Sequence, residues 1–254
     1  MVKPIPKPTA KAKPAPMFYV ILIAIFLGGA GVLGYLATRG KPPTVTTVDA
    51  NLPPLQAEGY LEGSPDAPVV LVEFGDFECP QCGKFATVTE PDVRKYLIDS
   101  GKVSLRYFDY PLAMHPNTWE ASHTAACANE QGRFWPMHDM LYNGQLEWNG
   151  QATGNPKSIF KGYAQQLGLD VAKWESCYDT RKFQRQLDAG KAEGDRRRVN
   201  GTPTFYIGNR MLTGNATYDE LRREVDAAMA AATAAKAAAP KAPASKAPPA
   251  RKPA

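Results

Sequence analysis

Three short segments in the middle of the chain have the apolar pattern of β-strands. Residues 69–74 (VVLVEF) form a nearly continuous, β-branched apolar run, which is typical of a strand covered on both faces. Residues 102–110 alternate between polar and apolar positions and predict a second strand. Residues 204–213 read as a strand, a Gly-Asn turn and another strand, so we expect a hairpin there.

Helical patterns occupy the intervals between these segments. A helix is predicted from residue 79 to about residue 98, and Pro91 should kink or restart it. Several helical segments follow between residues 117 and 199. Thr217 and Glu220 have the spacing of a capping box, which predicts the start of a final helix.

This order of elements predicts an α/β layered domain that carries a helical insertion. The domain covers residues 59–230, and the insertion lies at about residues 112–198. A chain of 254 residues with 44% apolar residues is long and apolar enough for one such domain with appendages.

A long uncharged run lies near the N-terminus. Residues 17–37 are 21 consecutive residues without a charged side chain, about the length of a helix that crosses a bilayer. We therefore predict a transmembrane anchor at residues 17–38, with a cleaved signal peptide as the alternative. Four lysines in residues 1–16 predict a cytoplasmic basic segment, which places the rest of the chain on the extracytoplasmic side.

The segments on either side of the domain have a different composition. Residues 39–58 contain four prolines and little periodicity, which is typical of a linker. Residues 231–254 are rich in alanine, proline and lysine and predict a disordered tail, whose alanine-rich start can extend the last helix. The nine basic residues at the two ends exceed the net charge of +5, so the domain itself is acidic and does not predict nucleic-acid binding.

Cys79-Pro80-Gln81-Cys82 joins the first predicted strand to the first predicted helix, which is the position of a redox C-x-x-C motif. Cys79 falls at the helix N-terminus, where unpaired N–H groups and the helix dipole favour a reactive thiolate. Pro80 suits the first helical turn because its missing N–H is not needed there. Cys82 lies one turn later, so it can close a disulfide with Cys79 and resolve a mixed disulfide.

Other uses of the four cysteines fit the spacing less well. A zinc site that adds Cys127 and Cys177 lacks a second closely spaced pair. A c-type haem needs histidine directly after the second cysteine, where this chain has Gly83. An inert disulfide between Cys79 and Cys82 would constrain very little chain. No metal or organic cofactor is expected, because the cysteine pair itself carries the electrons.

Two segments resemble a known family. Residues 69–82 (VVLVEFGDFECPQC) are similar to the active-site segment of the DsbA-like thiol-disulfide oxidoreductases, and residues 201–204 (GTPT) resemble their cis-proline loop. The helical block between the two segments resembles the inserted helical domain of that family. The resemblance covers about residues 59–228 and implies a thioredoxin fold with an inserted helical domain.

The resemblance also implies roles for single residues. A cis Pro203 would place the backbone of Thr202 beside the cysteine pair, where it can pair with an extended substrate chain; the alternative is a trans turn before a strand. Glu73 occupies the acidic position of the family, which implies a buried carboxylate that takes the proton from Cys82. If the strand turns Glu73 to solvent, the residue is only an edge charge.

The two remaining cysteines lie in separate predicted helices of the insertion. Some members of the family carry a second disulfide there, and an oxidising compartment favours a bridge. We therefore expect a structural disulfide between Cys127 and Cys177, and a pair of packed free thiols is the alternative.

Together with the predicted anchor, the resemblance implies a membrane-anchored enzyme of the cell envelope that introduces disulfides into exported or unfolded proteins by dithiol–disulfide exchange. It further implies a membrane redox partner that reoxidises the cysteine pair. Strongly oxidising members often carry histidine where this chain has Gln81, whose neutral amide supplies no charge. A disulfide isomerase or reductase is therefore the alternative enzyme, and a non-catalytic client-binding module is the alternative outside enzymes.

Overall fold

The computed structural model describes residues 16–38, 43–49 and 53–238. The chain divides into two compact units, residues 1–41 and residues 42–254. Almost all of the predicted basic segment, and the predicted tail beyond residue 238, lie outside the described residues.

Helix α1 (Pro16–Thr38) covers the uncharged run of the first unit. Its only proline is the first residue, where the missing N–H does not interrupt the helix. Many of its large apolar side chains are exposed. Among the residues that the structure describes, no helix is long and apolar enough to cross a membrane. The transmembrane anchor predicted at residues 17–38 is therefore not confirmed.

The second unit is built on a six-stranded mixed sheet with the strand order β1-β6-β5-β3-β4-β2. Strands β3 and β4 are parallel, and every other neighbouring pair is antiparallel. The strands are β1 (Thr44–Thr47), β2 (Tyr60–Glu62), β3 (Val69–Gly75), β4 (Val103–Asp109), β5 (Thr204–Ile207) and β6 (Arg210–Thr213).

Strand β3 lies inside the sheet, between β4 and β5, and every residue of it except Val70 is buried. Burial on both faces explains its unbroken apolar sequence. The strands predicted at residues 69–74 and 102–110 and the hairpin predicted at residues 204–213 are confirmed. Gly208 supplies the positive φ of 55° that the hairpin turn needs.

The two outer strands were not evident from the apolar pattern. Strand β1 pairs with β6 and lies within residues 39–58, which the composition assigned to a linker. All four of its side chains are exposed, so it carries no apolar periodicity that could reveal it. The linker prediction is therefore wrong over these four residues.

A continuous helical stretch follows β3. It consists of α2 (Pro80–Lys84), a π-helical turn (Phe85–Thr89), α3 (Glu90–Val93) and a second π-helical turn (Arg94–Ile98). Pro91 lies in the first turn of α3 and has no N–H to donate. The π-helical turn before it ends with the Glu90 N–H donating to the Phe85 carbonyl. The helix predicted to about residue 98 is confirmed, and it changes from π-helical to α-helical at Glu90, the residue before Pro91, without a break.

Six helices lie between β4 and β5, where the helical insertion was predicted. They are α4 (Thr118–Asn129), α5 (Phe134–Asn143), α6 (Gln145–Trp148), α7 (Lys157–Gln166), α8 (Val171–Asp179) and α9 (Gln184–Arg196).

Helix α10 (Tyr218–Ala238) closes the fold. The Glu220 carboxylate accepts a hydrogen bond from the Thr217 N–H, and the Glu220 N–H donates to the Thr217 hydroxyl, as in the predicted capping box. The first residues of the predicted tail are therefore helical, since the helix continues through the alanine-rich segment to residue 238.

Three apolar clusters hold these layers together. One lies between the sheet and helices α3 and α10, and a second covers the other face of β3 and β4. The third fills the helical insertion around Trp148, Trp174 and Phe160, and it continues to Cys79 and Cys82. The cysteine pair therefore lies where the insertion packs against the end of β3.

A disulfide links two helices of the insertion. The sulfur atoms of Cys127 in α4 and Cys177 in α8 are 2.02 Å apart, and the two residues are 50 positions apart in the sequence. Because these sulfurs are bonded to each other, the alternative zinc site with four cysteine ligands is excluded.

Removing this cross-link should destabilise the domain. Closing a loop of this length restricts the unfolded chain, so we expect Cys127→Ala/Cys177→Ala to lower the free energy of unfolding by about 4 kcal/mol. Urea unfolding measures the difference in a Cys79→Ser/Cys82→Ser background, in which no other disulfide can form. Reductant should lower the stability of the parent to that of the variant, and equal stability before reduction would contradict the prediction.

Candidate active site

Cys79 occupies the position immediately before helix α2, and Pro80 begins the helix. The backbone of Cys79 is extended, with φ −71° and ψ 122°, and its N–H donates to the Asp76 carbonyl at 3.0 Å. Its side chain therefore lies at the open N-terminal end of the helix, where backbone N–H groups have no helical partner. Pro80 and Gln81 are exposed, whereas Cys82 is buried.

The two thiols of the motif are free and have different environments. The relative exposure of Cys79 is 6% and that of Cys82 is 0%. A hydrogen bond from the Cys82 thiol, together with the Thr202 side chain and the N–H groups of Cys82 and Gln81, lowers the pKa of Cys79 to about 6, although burial opposes the shift. Burial, reinforced by the hydrogen bond to Cys79, raises the pKa of Cys82 well above its usual value. The pair thus combines one readily ionised sulfur with one that retains its proton.

The loop before β5 contacts the first of these sulfurs. The Cys79 thiol donates a hydrogen bond to the Thr202 carbonyl at 3.3 Å, and the Thr202–Pro203 peptide bond is cis. The Pro203 carbonyl accepts a hydrogen bond from the Gly214 N–H at 2.9 Å, which ties the loop to the end of the hairpin. Cys79 and Thr202 are 123 residues apart in the sequence, so two distant motifs meet at one sulfur atom.

Glu73 lies within β3, two residues before the strand ends, and its relative exposure is 1%. This burial contradicts the alternative in which Glu73 is a solvent-facing edge charge. Burial, and then the charge of Glu90, raises the pKa of Glu73 well above its usual value, while Arg94 opposes the shift. A negative charge on Glu73 also raises the pKa of Cys82, so the two groups interact electrostatically.

The helical insertion holds the active-site turn through a buried amide. The Gln145 side chain in α6 donates to the Phe77 carbonyl at 2.7 Å and to the Cys79 carbonyl at 3.0 Å. Gly83 leaves the space for this contact, since a Cβ atom there would lie 2.9 Å from the Gln145 Oε1 atom. Sequence reasoning missed this residue, because a lone glutamine in a helical segment carries no motif.

A buried carboxylate next to the motif makes a second connection to the insertion. Glu78 accepts hydrogen bonds from the Asn117 N–H and from the Gly150 N–H, each at 2.6 Å. The acidic residue beside Cys79 was the available signal, but its partners are 39 and 72 residues away and could not be inferred from the sequence. The turn that carries Cys79 is thus held by residues that precede and follow α6 in the chain.

A group of metal-ligand residue types lies elsewhere in the described residues. Glu90, His138 and Asp139 bring donor atoms together, and the Arg94 guanidinium forms ion pairs with Glu90 and Asp139, each at 2.7 Å. An arginine side chain therefore already pairs with both carboxylates, and none of the three residues belongs to the cysteine motif.

Comparison with known proteins agrees with this architecture. The family described as "Thioredoxin" matches residues 56–227, which is more than half of the chain. The chain therefore belongs to the thioredoxin family, and the resemblance derived from the two sequence motifs is confirmed.

Individual relatives show how far this similarity extends. A Salinispora arenicola protein named Na(+)/H(+) antiporter NhaA 1 is 33% identical over 184 residues, which are 72% of this chain and 26% of that protein. Probable disulfide bond formation protein D of Bacillus anthracis is 25% identical over 65% of this chain and 75% of that protein. The crystal structure of oxidised BdbD from Bacillus subtilis matches with a TM-score of 0.63 and 21% identity, covering 75% of this chain and 100% of that chain. The chain spans about a quarter of the length of the antiporter relatives.

The hydrogen bond from Cys82 can be tested by removing its donor. We expect Cys82→Ala to raise the pKa of Cys79 above about 6, because this bond is the largest interaction that stabilises the thiolate. The rate of iodoacetamide alkylation, followed from acidic to alkaline pH, reports the midpoint. Cys79→Ser is the control that should abolish the rapid reaction, and an unchanged midpoint in Cys82→Ala would contradict the assignment.

Proposed function

We propose that this chain introduces disulfides into exported proteins by dithiol–disulfide exchange at Cys79 and Cys82. The observation that carries the proposal is the contrast between the two thiols at one helix end. The pKa of Cys79 is lowered to about 6, while burial raises the pKa of Cys82, which is fully buried and retains its proton. A thiol with a low pKa reacts as a thiolate and is also a good leaving group.

In the oxidising direction, the cycle starts from the Cys79–Cys82 disulfide. A client thiolate attacks the sulfur of Cys79, the bond to Cys82 breaks, and Cys82 leaves as a thiolate that takes up a proton. A second client thiolate then attacks the client sulfur of the mixed disulfide and releases Cys79 as a thiolate. The client loses two electrons and gains a disulfide, and the cysteine pair holds both electrons as the Cys79 thiolate and the Cys82 thiol.

Glu73 is the proposed proton donor and acceptor for Cys82. Both groups are buried, and a carboxyl group whose pKa is raised keeps its proton to higher pH than usual and can transfer it. Each group disfavours the ionised form of the other, so a proton on one of them is the favoured state.

Thr202 and Pro203 are the proposed contact with the client backbone. The loop belongs to a different part of the chain from helix α2, and its Thr202 carbonyl lies 3.3 Å from the Cys79 sulfur. An extended client segment that reaches Cys79 would therefore lie along this loop, where main-chain hydrogen bonds are independent of the client sequence.

The location and the redox partner follow from the same proposal. Clients that acquire disulfides lie outside the cytoplasm, and a membrane protein that accepts the electrons would regenerate the Cys79–Cys82 disulfide. The membrane anchor in this proposal is supported by the uncharged run at residues 17–37 alone.

The direction of exchange is tested by the reduction potential of the cysteine pair. Stabilisation of the Cys79 thiolate favours the reduced form, so we expect a value closer to about −120 mV than to about −270 mV in equilibrium with glutathione. A reduction potential near about −270 mV would contradict the proposed oxidase role and favour a reductase. Oxidation of a reduced, unfolded protein by the oxidised chain should also disappear in Cys79→Ser, and unchanged activity would favour the non-catalytic client-binding alternative.

The proton-transfer role of Glu73 is tested by Glu73→Gln, which keeps the shape of the side chain and removes its titratable proton. We expect Cys82 to displace glutathione from a Cys79–glutathione mixed disulfide about 100-fold more slowly, with a changed pH profile. The exposed Glu58→Gln is the matched control and should keep the parent rate. An unchanged rate and pH profile in Glu73→Gln would remove this role.

A further inference from the structure

One imidazole near the cysteine motif has no role in the proposed exchange. His115 lies in the segment between β4 and α4, and its Nδ1 atom is 2.8 Å from the Asp76 Oδ2 atom. The relative exposure of the side chain is 16% for His115 and 0% for Asp76. A histidine held against a fully buried carboxylate is arranged to carry a proton, because the imidazolium and the carboxylate stabilise each other.

The same aspartate determines the shape of the active-site turn. The Asp76 Oδ1 atom accepts hydrogen bonds from the Glu78 N–H at 2.8 Å and from the Thr118 hydroxyl at 2.6 Å. The Asp76 Oδ2 atom accepts from the Leu112 N–H at 2.8 Å, and the Asp76 carbonyl accepts from the Cys79 N–H at 3.0 Å. Asp76 therefore forms hydrogen bonds both to the segment that carries His115 and to the turn that carries Cys79.

The groups that face this imidazole all favour its charged form. The hydrogen bond to Asp76 raises the pKa of His115 against the effect of burial, and the charges of Asp76, Cys79 and Glu78 add to it. Asp76, Glu78 and Cys79 belong to the turn between β3 and α2, and the uncharged Thr118 of α4 donates to the same Asp76 carboxylate. The imidazole is thus in an anionic environment that includes the reactive sulfur.

Electrostatic interaction between two titrating groups is reciprocal. If the thiolate of Cys79 stabilises the imidazolium of His115, the imidazolium must stabilise the thiolate by the same free energy. The helix end, with its N–H groups and the Cys82 thiol, supplies hydrogen bonds but no full positive charge. A full positive charge near Cys79 would therefore come from outside the motif.

We propose that His115 is a positioning residue whose imidazolium, held by Asp76, stabilises the Cys79 thiolate and so promotes its release from mixed disulfides. The proposal deepens the proposed function, because it assigns part of the activation of Cys79 to a residue of the loop before α4. The proposed interaction between the His115 imidazolium and the Cys79 thiolate does not depend on which proteins the chain oxidises.

The unmodified chain provides the first test. The pKa of His115, followed by NMR of its imidazole resonances, should be higher in the reduced protein than in the protein with the Cys79–Cys82 disulfide, in which the thiolate charge is absent. Reduced Cys79→Ser should resemble the disulfide form. Equal His115 pKa values in all three states would overturn the proposal, even if disulfide exchange itself were observed.

Substitutions provide the second test. His115→Gln keeps a hydrogen-bond donor for Asp76 but removes the charge, so the thiolate fraction of Cys79 at acidic pH should fall about three- to tenfold, measured by alkylation. His115→Lys should restore most of this fraction. His123→Gln is the matched control, because His123 hydrogen-bonds Gln184 in the insertion and should leave the Cys79 midpoint unchanged. An unchanged fraction in His115→Gln, or an equal loss in His115→Lys, would overturn the electrostatic role.

Discussion

The chemistry of this protein depends on hydrogen bonds that converge on one sulfur atom. Cys79 receives them from the Cys82 thiol and from the first N–H groups of helix α2, and together they lower the pKa of the thiol from 9.0 to about 6. Burial alone would raise this pKa, so the directed hydrogen bonds outweigh desolvation here. Cys82 has no comparable set of donors, and burial dominates its pKa. The functional difference between two identical side chains therefore comes from their positions at one helix end.

The helical insertion has a part in maintaining this geometry. Gln145 binds the Cys79 carbonyl, Glu78 accepts two N–H groups from the insertion, and Asp76 connects the turn to the start of α4. Buried polar groups that lose one partner are costly, so these contacts resist displacement of the turn. The thioredoxin-like sheet thus supplies the strand that ends at the motif, and the insertion fixes the conformation in which the Cys79 sulfur faces the Thr202 loop.

The sequence predicted the parts of this arrangement that depend on short-range sequence patterns. The apolar run of β3, the C-x-x-C motif and the hairpin each carry a short-range pattern, and the resemblance joined Pro203 and Glu73 to them. Gln145 and His115 were not predicted, because their partners lie 66 or 68 and 39 residues away and only the folded topology brings them together. Strand β1 escaped prediction for the opposite reason, since an exposed edge strand has no buried face to impose an alternating pattern.

The central claim is that folding stabilises the thiolate of Cys79. The reduced form must then gain stability relative to the disulfide form as the pH rises, because the pKa of the Cys79 thiol is about 6 in the folded chain and 9.0 without the fold. Urea unfolding of both redox forms measures this directly. The stability of the reduced form relative to the oxidised form should increase by about 2 kcal/mol between about pH 6 and about pH 8. A difference that does not change with pH would contradict the account.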